Sequence, residues 1–388
     1  MTRIFHSIAD YFKKSDKALW LLTIIAIVYS LMLIASMQRS GEYNFLQTQI
    51  IAIATGLVSA IIISAADYKY IIKKWYFAAI ISFILAGLVF VFGIQVAGTD
   101  DTAWIQIGSL TIQPSEFIKI CFIITFTKHL TYLEEKDMLK SFVGVITLVL
   151  HAMIPMIIIH MQGDDGTVLI FALIFLFMSF IAGVQLRYFA ILGGILLVSV
   201  PLIWNLFMND DQRNRLLALF DIDGNAMTTY GWQQYQGKVS ISSGSLFGKG
   251  LFNGPRVEHG IVPEQENDFI FTVAGEELGF IGCIALMIIL LLIMIRILIN
   301  AKQTNDMSGK LLCSGAFAII SSQTIINIGM VLGFFPVIGI TLPLFSAGGT
   351  SALATLICLG LVQSVRTHNL GDMNTAVVRR EIRNRFKI

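Results

Sequence analysis

The stretch Leu19-Trp20-Leu21-Leu22-Thr23-Ile24-Ile25-Ala26-Ile27-Val28-Tyr29-Ser30-Leu31-Met32-Leu33-Ile34-Ala35-Ser36 carries no charged residue. As a helix it would be about 27 Å long, close to the thickness of a bilayer's hydrocarbon core. It is too long for the apolar core of a signal peptide, and no small-residue cleavage pattern follows it. It reads as a retained membrane span.

Nine further apolar runs follow, so ten spans are expected near 18–37, 47–65, 77–96, 113–128, 142–160, 167–185, 188–207, 268–297, 311–332 and 346–365. The expected fold is all-α, a polytopic membrane protein forming one domain over residues 1–388. Composition agrees. Of 388 residues 56% are hydrophobic and only 13% charged, and the mean hydropathy is +0.76. Typical soluble domains carry about 25% charged residues, so this chain has too few to cover a water-facing surface. An ordinary cytosolic enzyme and a disordered chain are excluded. A net charge of only +2 offers no basic field for nucleic acid. The four cysteines, Cys121, Cys283, Cys313 and Cys358, have neither metal-site nor disulfide-framework spacing.

Lys and Arg set the orientation. With both termini cytoplasmic, the inside segments hold 20 basic residues and the outside segments 6, namely Arg39 and five in a long connection at about 207–267. Lys119 lies within a span. That connection is thereby extracytoplasmic. It is too glycine-rich and too short of alternating apolar residues to be a domain of its own. A probe at Asn225 would report the outside, and one at Asn305 the inside.

Ionisable residues at membrane depth are costly and are functional candidates by default. In Gln113-Pro114-Ser115-Glu116-Phe117-Ile118-Lys119 the proline marks a helix start, and Glu116 and Lys119 are i,i+3 neighbours able to pair. A structural ion pair at a helix end is the plainer alternative. In Gln162-Gly163-Asp164-Asp165-Gly166-Thr167 the adjacent carboxylates suit either a cation or a turn with an aspartate N-cap. Asp268 is the last polar residue before a long apolar run. It suits a general base, a metal ligand or a helix cap. Glu276 and Glu277 lie further into that run and need a partner such as Lys119 or an arginine. In the long connection, Gln212-Arg213-Asn214-Arg215 and the glycines from Gly244 to Gly250 suit a pyrophosphate, since glycine admits backbone N–H groups and arginine binds phosphate bidentately. A flexible charged loop is the alternative. Gly339, Pro343, Gly348 and Gly349 make 336–351 look like a broken or re-entrant segment, or else a kinked helix. No P-loop, zinc-protease or dinucleotide motif occurs.

Taken in order, these segments resemble the SEDS (RodA/FtsW/SpoVE) family of bacterial membrane glycosyltransferases over nearly the whole chain. The resemblance is carried by Gln113-Pro114-Ser115-Glu116 with Lys119, Asp164 with Gly166-Thr167, Gln212-Arg213-Asn214-Arg215, and Ser242-Ser243-Gly244 to Gly248-Lys249-Gly250. It continues in Asp268-Phe269-Ile270-Phe271 with Glu276-Glu277-Leu278-Gly279, in Asn327-Ile328-Gly329-Met330, and in Pro336-Val337-Ile338-Gly339 and Leu342-Pro343 through Ser346 to Gly348-Gly349-Thr350-Ser351. Lys238-Val239-Ser240-Ile241 and Gly248-Lys249-Gly250 are nearest the RodA branch. Departures are Ala103, where a basic residue is usual, Gly163 and Asp165 for the proline and leucine of Pro-Asp-Leu-Gly-Thr, Glu266-Asn267 for His-Thr, and Ala347 for tyrosine.

The resemblance implies a peptidoglycan polymerase acting on lipid II at the outer face of the cytoplasmic membrane. Asp268 would be the catalytic base. Arg213, Arg215, Lys238 and Lys249 would face the leaving pyrophosphate, a task that a divalent cation (Mg2+ or Mn2+) could share. Glu116 and Lys119 would be a supporting pair, with Asp164, Glu276, Glu277 and Ser346 as further candidates. A class B penicillin-binding protein, a transpeptidase, is the implied partner, alongside membrane lipid and no nucleic acid. A lipid II flippase and a non-catalytic transpeptidase scaffold are the alternatives.

Overall fold

The computed structural model describes residues 13–38, 45–95, 102–108, 110–220 and 230–385; Arg39 and Asn225 lie outside the described residues. The helices that matter are α1 (Lys17–Met37), α2 (Phe45–Ala65), α3 (Tyr68–Lys73), α4 (Trp75–Phe92), α5 (Pro114–Glu135), α6 (Phe142–His160) and α7 (Asp165–Ala182). They are followed by α8 (Leu186–Leu202), α9 (Asp210–Leu217), α10 (Trp232–Ser243), α11 (Pro255–Glu258), α12 (Ile270–Gln303), α13 (Met307–Leu332) and α14 (Gly349–Arg385).

Every expected span coincides with a helix. Among the described residues nine helices are long and apolar enough to cross a membrane. The tenth, α5, has 22 residues, about 33 Å of helix, but carries Glu116, Lys119, Lys128, Glu134 and Glu135. It can hold them because most of its first half is buried against α4, α6, α7 and α13. A central helix does not need the apolar circumference of a lipid-facing one. The outer faces of α2, α4 and α6 are exposed apolar residues such as Ile62, Phe83 and Leu150. α8 has no buried residue at all.

Two features were not expected. Residues between α4 and α5 form a small antiparallel sheet of β1 (Gly93–Ile94), β2 (Trp104–Ile107) and β3 (Leu110–Ile112), in that order. The long connection also holds three helices, α9, α10 and α11. By contrast 336–348 is non-helical, as expected, and residues 340–347 are buried.

One end of the bundle gathers the short basic turns and is tied by polar contacts. The Asp16 carboxylate accepts from Arg296 at 2.7 Å, from Asn300 at 2.9 Å and from the Leu19 amide at 3.0 Å. Tyr68 donates to Asp306 at 2.7 Å. The candidate residues lie at the other end.

Candidate functional site

Asp268 stands two residues ahead of α12, beside the non-helical 336–348 segment. That segment is held by backbone and side-chain bonds to the residues around Asp268. Asn327, fully buried on α13, donates through Nδ2 to the carbonyls of Asp268 at 2.8 Å and Ile340 at 2.6 Å. Ser346 donates to the Asn267 carbonyl at 2.6 Å and accepts from the Leu342 amide at 2.7 Å. The Ala347 amide donates to the Glu266 carbonyl at 2.8 Å. A Cβ placed on Gly339 would lie 3.7 Å from Asp268 Oδ2.

The Asp268 side chain is half-buried. The helix cap reading fails: the N-cap of α12 is Phe269, which makes no side-chain cap bond, and the Asp268 carboxylate accepts no bond among the described residues. Burial pushes its carboxyl up from the ordinary 3.8 to about 7, and the negative charges of Glu264, Asp164 and Glu266 add to the effect. Loss of hydration disfavours the ionised form, and like charges do the same. A carboxyl that ionises near neutrality, uncapped and accessible, is suited to taking a proton.

Of the two roles weighed for it, Asp164 fills that of the helix cap. Its Oδ1 caps α7 by accepting from the Thr167 amide at 2.9 Å, while Oδ2 accepts from Gln113 at 2.8 Å and Ser115 at 3.2 Å. It thus joins α7 to the start of α5. One turn on, Lys119 and Glu116 form a buried ion pair at 2.7 Å, with side chains 1% and 6% exposed. They line a cavity of about 10 Å³, room for about one water, together with Gln113, Thr167, Gln323 and Thr341.

The four candidate cations of the long connection do not converge. Arg215 reaches the Val337 carbonyl at 3.4 Å, next to Asp268's neighbours. Arg213 donates to the Trp204 and Asn205 carbonyls at 2.9 and 3.2 Å. Lys238 lies against Gly333, where α13 ends. Lys249 pairs with Glu276 at 3.4 Å. Of the partners open for Glu276, Lys119 is spent on Glu116 and no arginine side chain bonds it among the described residues; Glu276 accepts from Lys249 and from the Arg256 backbone amide at 2.9 Å. The glycine stretch 244–250 offers few free amides to a pyrophosphate, since those of Gly244, Ser245 and Gly248 donate to the Ile241, Ser242 and Gly244 carbonyls. The Lys249 and Gly250 amides donate to the Glu276 and Glu277 carbonyls at 3.0 and 2.9 Å. These carbonyls are free because α12 breaks at Gly279, whose φ of 68° and ψ of −163° only glycine adopts without strain. Glu277 is likewise buried, facing Ser36 and the Phe252 and Gly254 amides.

Sequence reasoning named Asn327 only as part of a motif and missed Gln234 and Arg256. Gln234 donates to the Met330 and Phe335 carbonyls at 2.8 and 2.7 Å. Arg256 donates to Ser240 at 2.8 Å and to Gln236. A lone Asn in an apolar span was the available signal for the first; nothing local marked the other two.

A mostly helical membrane bundle with a raised carboxyl at one end fits a membrane enzyme or a transporter alike. The comparisons supply the class. The family model FTSW_RODA_SPOVE, described as "Cell cycle protein", matches residues 14–370, and the chain belongs to this SEDS family. The peptidoglycan glycosyltransferase MrdB of Escherichia coli K12 is 31% identical over 355 residues, 91% of this chain and 94% of that protein. The stage V sporulation protein E of Bacillus subtilis is 30% identical over 356 residues, 90% and 95% of the two chains. Among solved structures, a chain of a peptidoglycan synthase complex that coordinates polymerization and crosslinking superposes with TM-score 0.78 at 25% identity, covering 92% of this chain and 98% of that one. Thermus thermophilus RodA superposes at 0.67 and 25%, covering 92% and 97%.

Proposed function

We propose that this chain is a peptidoglycan glycosyltransferase that polymerises lipid II, with Asp268 as the base. The observation that carries the reading is the Asp268 carboxyl itself. It is uncapped, partly accessible, ionises at about 7, and is fixed through its backbone by Asn327. The 4-hydroxyl of the acceptor's N-acetylglucosamine is a poor nucleophile until its proton is removed. Asp268 takes that proton as the oxygen attacks C1 of the donor's N-acetylmuramic acid. The C1–O bond to the polyprenyl pyrophosphate breaks, and one displacement inverts the anomeric centre, as in one-step glycosidases.

Positive charge stabilises the departing pyrophosphate. Arg215 is the cation beside the Asp268 segment; Arg213 and Lys238 are at the same end, and Lys249 needs to leave Glu276 to contribute. Among the described residues no three His, Cys, Asp or Glu side chains gather around one point. A divalent cation shared with substrate phosphates needs only one or two carboxylates, and Asp268 with Asp164, whose charge acts on it, are the residues that would hold one.

The basic-residue asymmetry supports an outer-face site with both termini cytoplasmic. The likeness to a synthase complex supports a class B penicillin-binding protein as partner. Purified protein with lipid II alone tests the reading. Glycan strands support polymerisation, whereas leaflet exchange without product favours a flippase and neither outcome favours a scaffold.

A further inference from the structure

We propose that Asp165 is a positioning residue that fastens α9 to the start of α7 and thereby sets where Arg215 stands over the 336–339 turn. The inference rests on the placing of the reaction at Asp268. Asp165 is the first residue of α7, and its two oxygens serve two different elements. Oδ1 meets His160 Nδ1, the last residue of α6, at 2.6 Å. Oδ2 accepts from Gln212 Nε2 on α9 at 2.6 Å.

Gln212 is a well-placed handle. It closes the capping box of α9, its Oε1 accepting from the Asn209 amide at 3.1 Å while its own amide donates to Asn209 Oδ1 at 2.8 Å. Both ends of its side-chain amide are therefore occupied, and the Asp165 bond holds the N-terminus of α9 in one place. One turn on, Arg215 reaches the Val337 carbonyl at 3.4 Å. The residue after Asp165 touches the same turn from the other side. A Cβ on Gly166 would lie 2.4 Å from the Ile338 carbonyl oxygen, so only glycine fits. Asp165 and Gly166 thus locate α9 and the 336–339 turn relative to each other. Asp268 Oδ2 lies next to Gly339 at the end of that turn. Asp165 stands where the family pattern carries leucine, so this clasp belongs to the present chain.

The pyrophosphate is already charged in the bound donor, so most of the attraction to Arg215 is present in ground state and transition state alike and alters KM more than kcat. Asp165 is 43% exposed, so the loss is modest. In lipid II polymerisation by the full-length protein in lipid nanodiscs, Asp165→Leu should raise KM about threefold to tenfold and leave kcat within about twofold. Asp165→Asn should restore KM, because its carbonyl still accepts from Gln212 and its amide can donate to His160. Gln212→Leu should match Asp165→Leu, and the double variant should be no worse than either. Trypsin should cut after Arg215 faster in Asp165→Leu than in wild type, since α9 is released. Unchanged KM and unchanged cleavage in Asp165→Leu and Gln212→Leu would overturn the proposal, as would equal kcat losses in the Leu and Asn variants. Wild-type turnover by Asp268→Asn would overturn the placing of the reaction instead, and the trypsin result would still decide whether Asp165 holds α9.

Discussion

Asn327 Nδ2 donates at once to the Asp268 carbonyl, 2.8 Å away, and to the Ile340 carbonyl, 2.6 Å away. One side chain from a membrane helix therefore fixes the start of α12 to the non-helical segment that faces it. Asn327→Leu removes both donors and leaves two carbonyls short of a partner at a cost of about 1–3 kcal/mol each. A lowered thermal midpoint and a loss of glycan synthesis larger than the loss of folded protein are expected. A variant with wild-type turnover would show that Asp268 does not depend on this tie.

The Glu116–Lys119 pair lies at 2.7 Å with both side chains nearly sealed. Removing one partner of a buried pair typically costs about 3–5 kcal/mol, because the other charge is left uncompensated. Glu116→Ala and Lys119→Ala should each lower folded yield and thermal stability, and the double variant should be less damaged than their sum. Strict additivity in that cycle would show the two do not interact.

The pH dependence follows from Asp268. Its carboxyl ionises at about 7, and only the ionised form accepts a proton. The kcat/KM profile should fall on the acid side of about pH 7. Because the folded value is raised, the folded state keeps this proton between about 4 and 7 while the unfolded chain has lost it. The residue's contribution to stability is thus full below about 4 and declines as pH rises to about 7. Glu264 is the largest charge acting on it, after burial. Glu264→Gln should move the acid limb to lower pH. A limb that stays in place would mean that another group controls it.

Much of this was legible in the sequence because the bilayer imposes simple rules. A span must be long and apolar, so 142–160 was marked to the residue and 311–332 to its C-terminal end. Pro343 with Gly339, Gly348 and Gly349 announced the broken segment for the same reason. What stayed hidden depends on contacts between distant residues. The bond from Lys249 to Glu276 exists because α12 breaks at Gly279 and exposes carbonyls to the 244–250 turn. No local pattern around Lys249 reports that. Asp165 read as half of an acidic turn, while its bond to Gln212 crosses 47 positions. The small sheet before α5 is too short to leave an alternating signature.

Orientation can be read with single cysteines, since the four native ones are buried. Glu258 on α11 and Asn305 between α12 and α13 are both exposed and at opposite ends of the bundle. An impermeant thiol reagent added to intact cells should label a cysteine at position 258 and spare one at position 305. The reverse pattern would place the reaction on the cytoplasmic side.

The most direct measurement is lipid II polymerisation by purified Asp268→Asn. The substitution keeps volume and removes the proton acceptor, and no cap is lost because Asp268 caps nothing. Glycan synthesis should drop by at least about 10²-fold, with expression and partner binding unchanged and thermal stability not lowered, since a neutral side chain avoids the cost of ionising a buried carboxyl among like charges. An Asp268→Asn protein that polymerises lipid II at the wild-type rate would contradict the account.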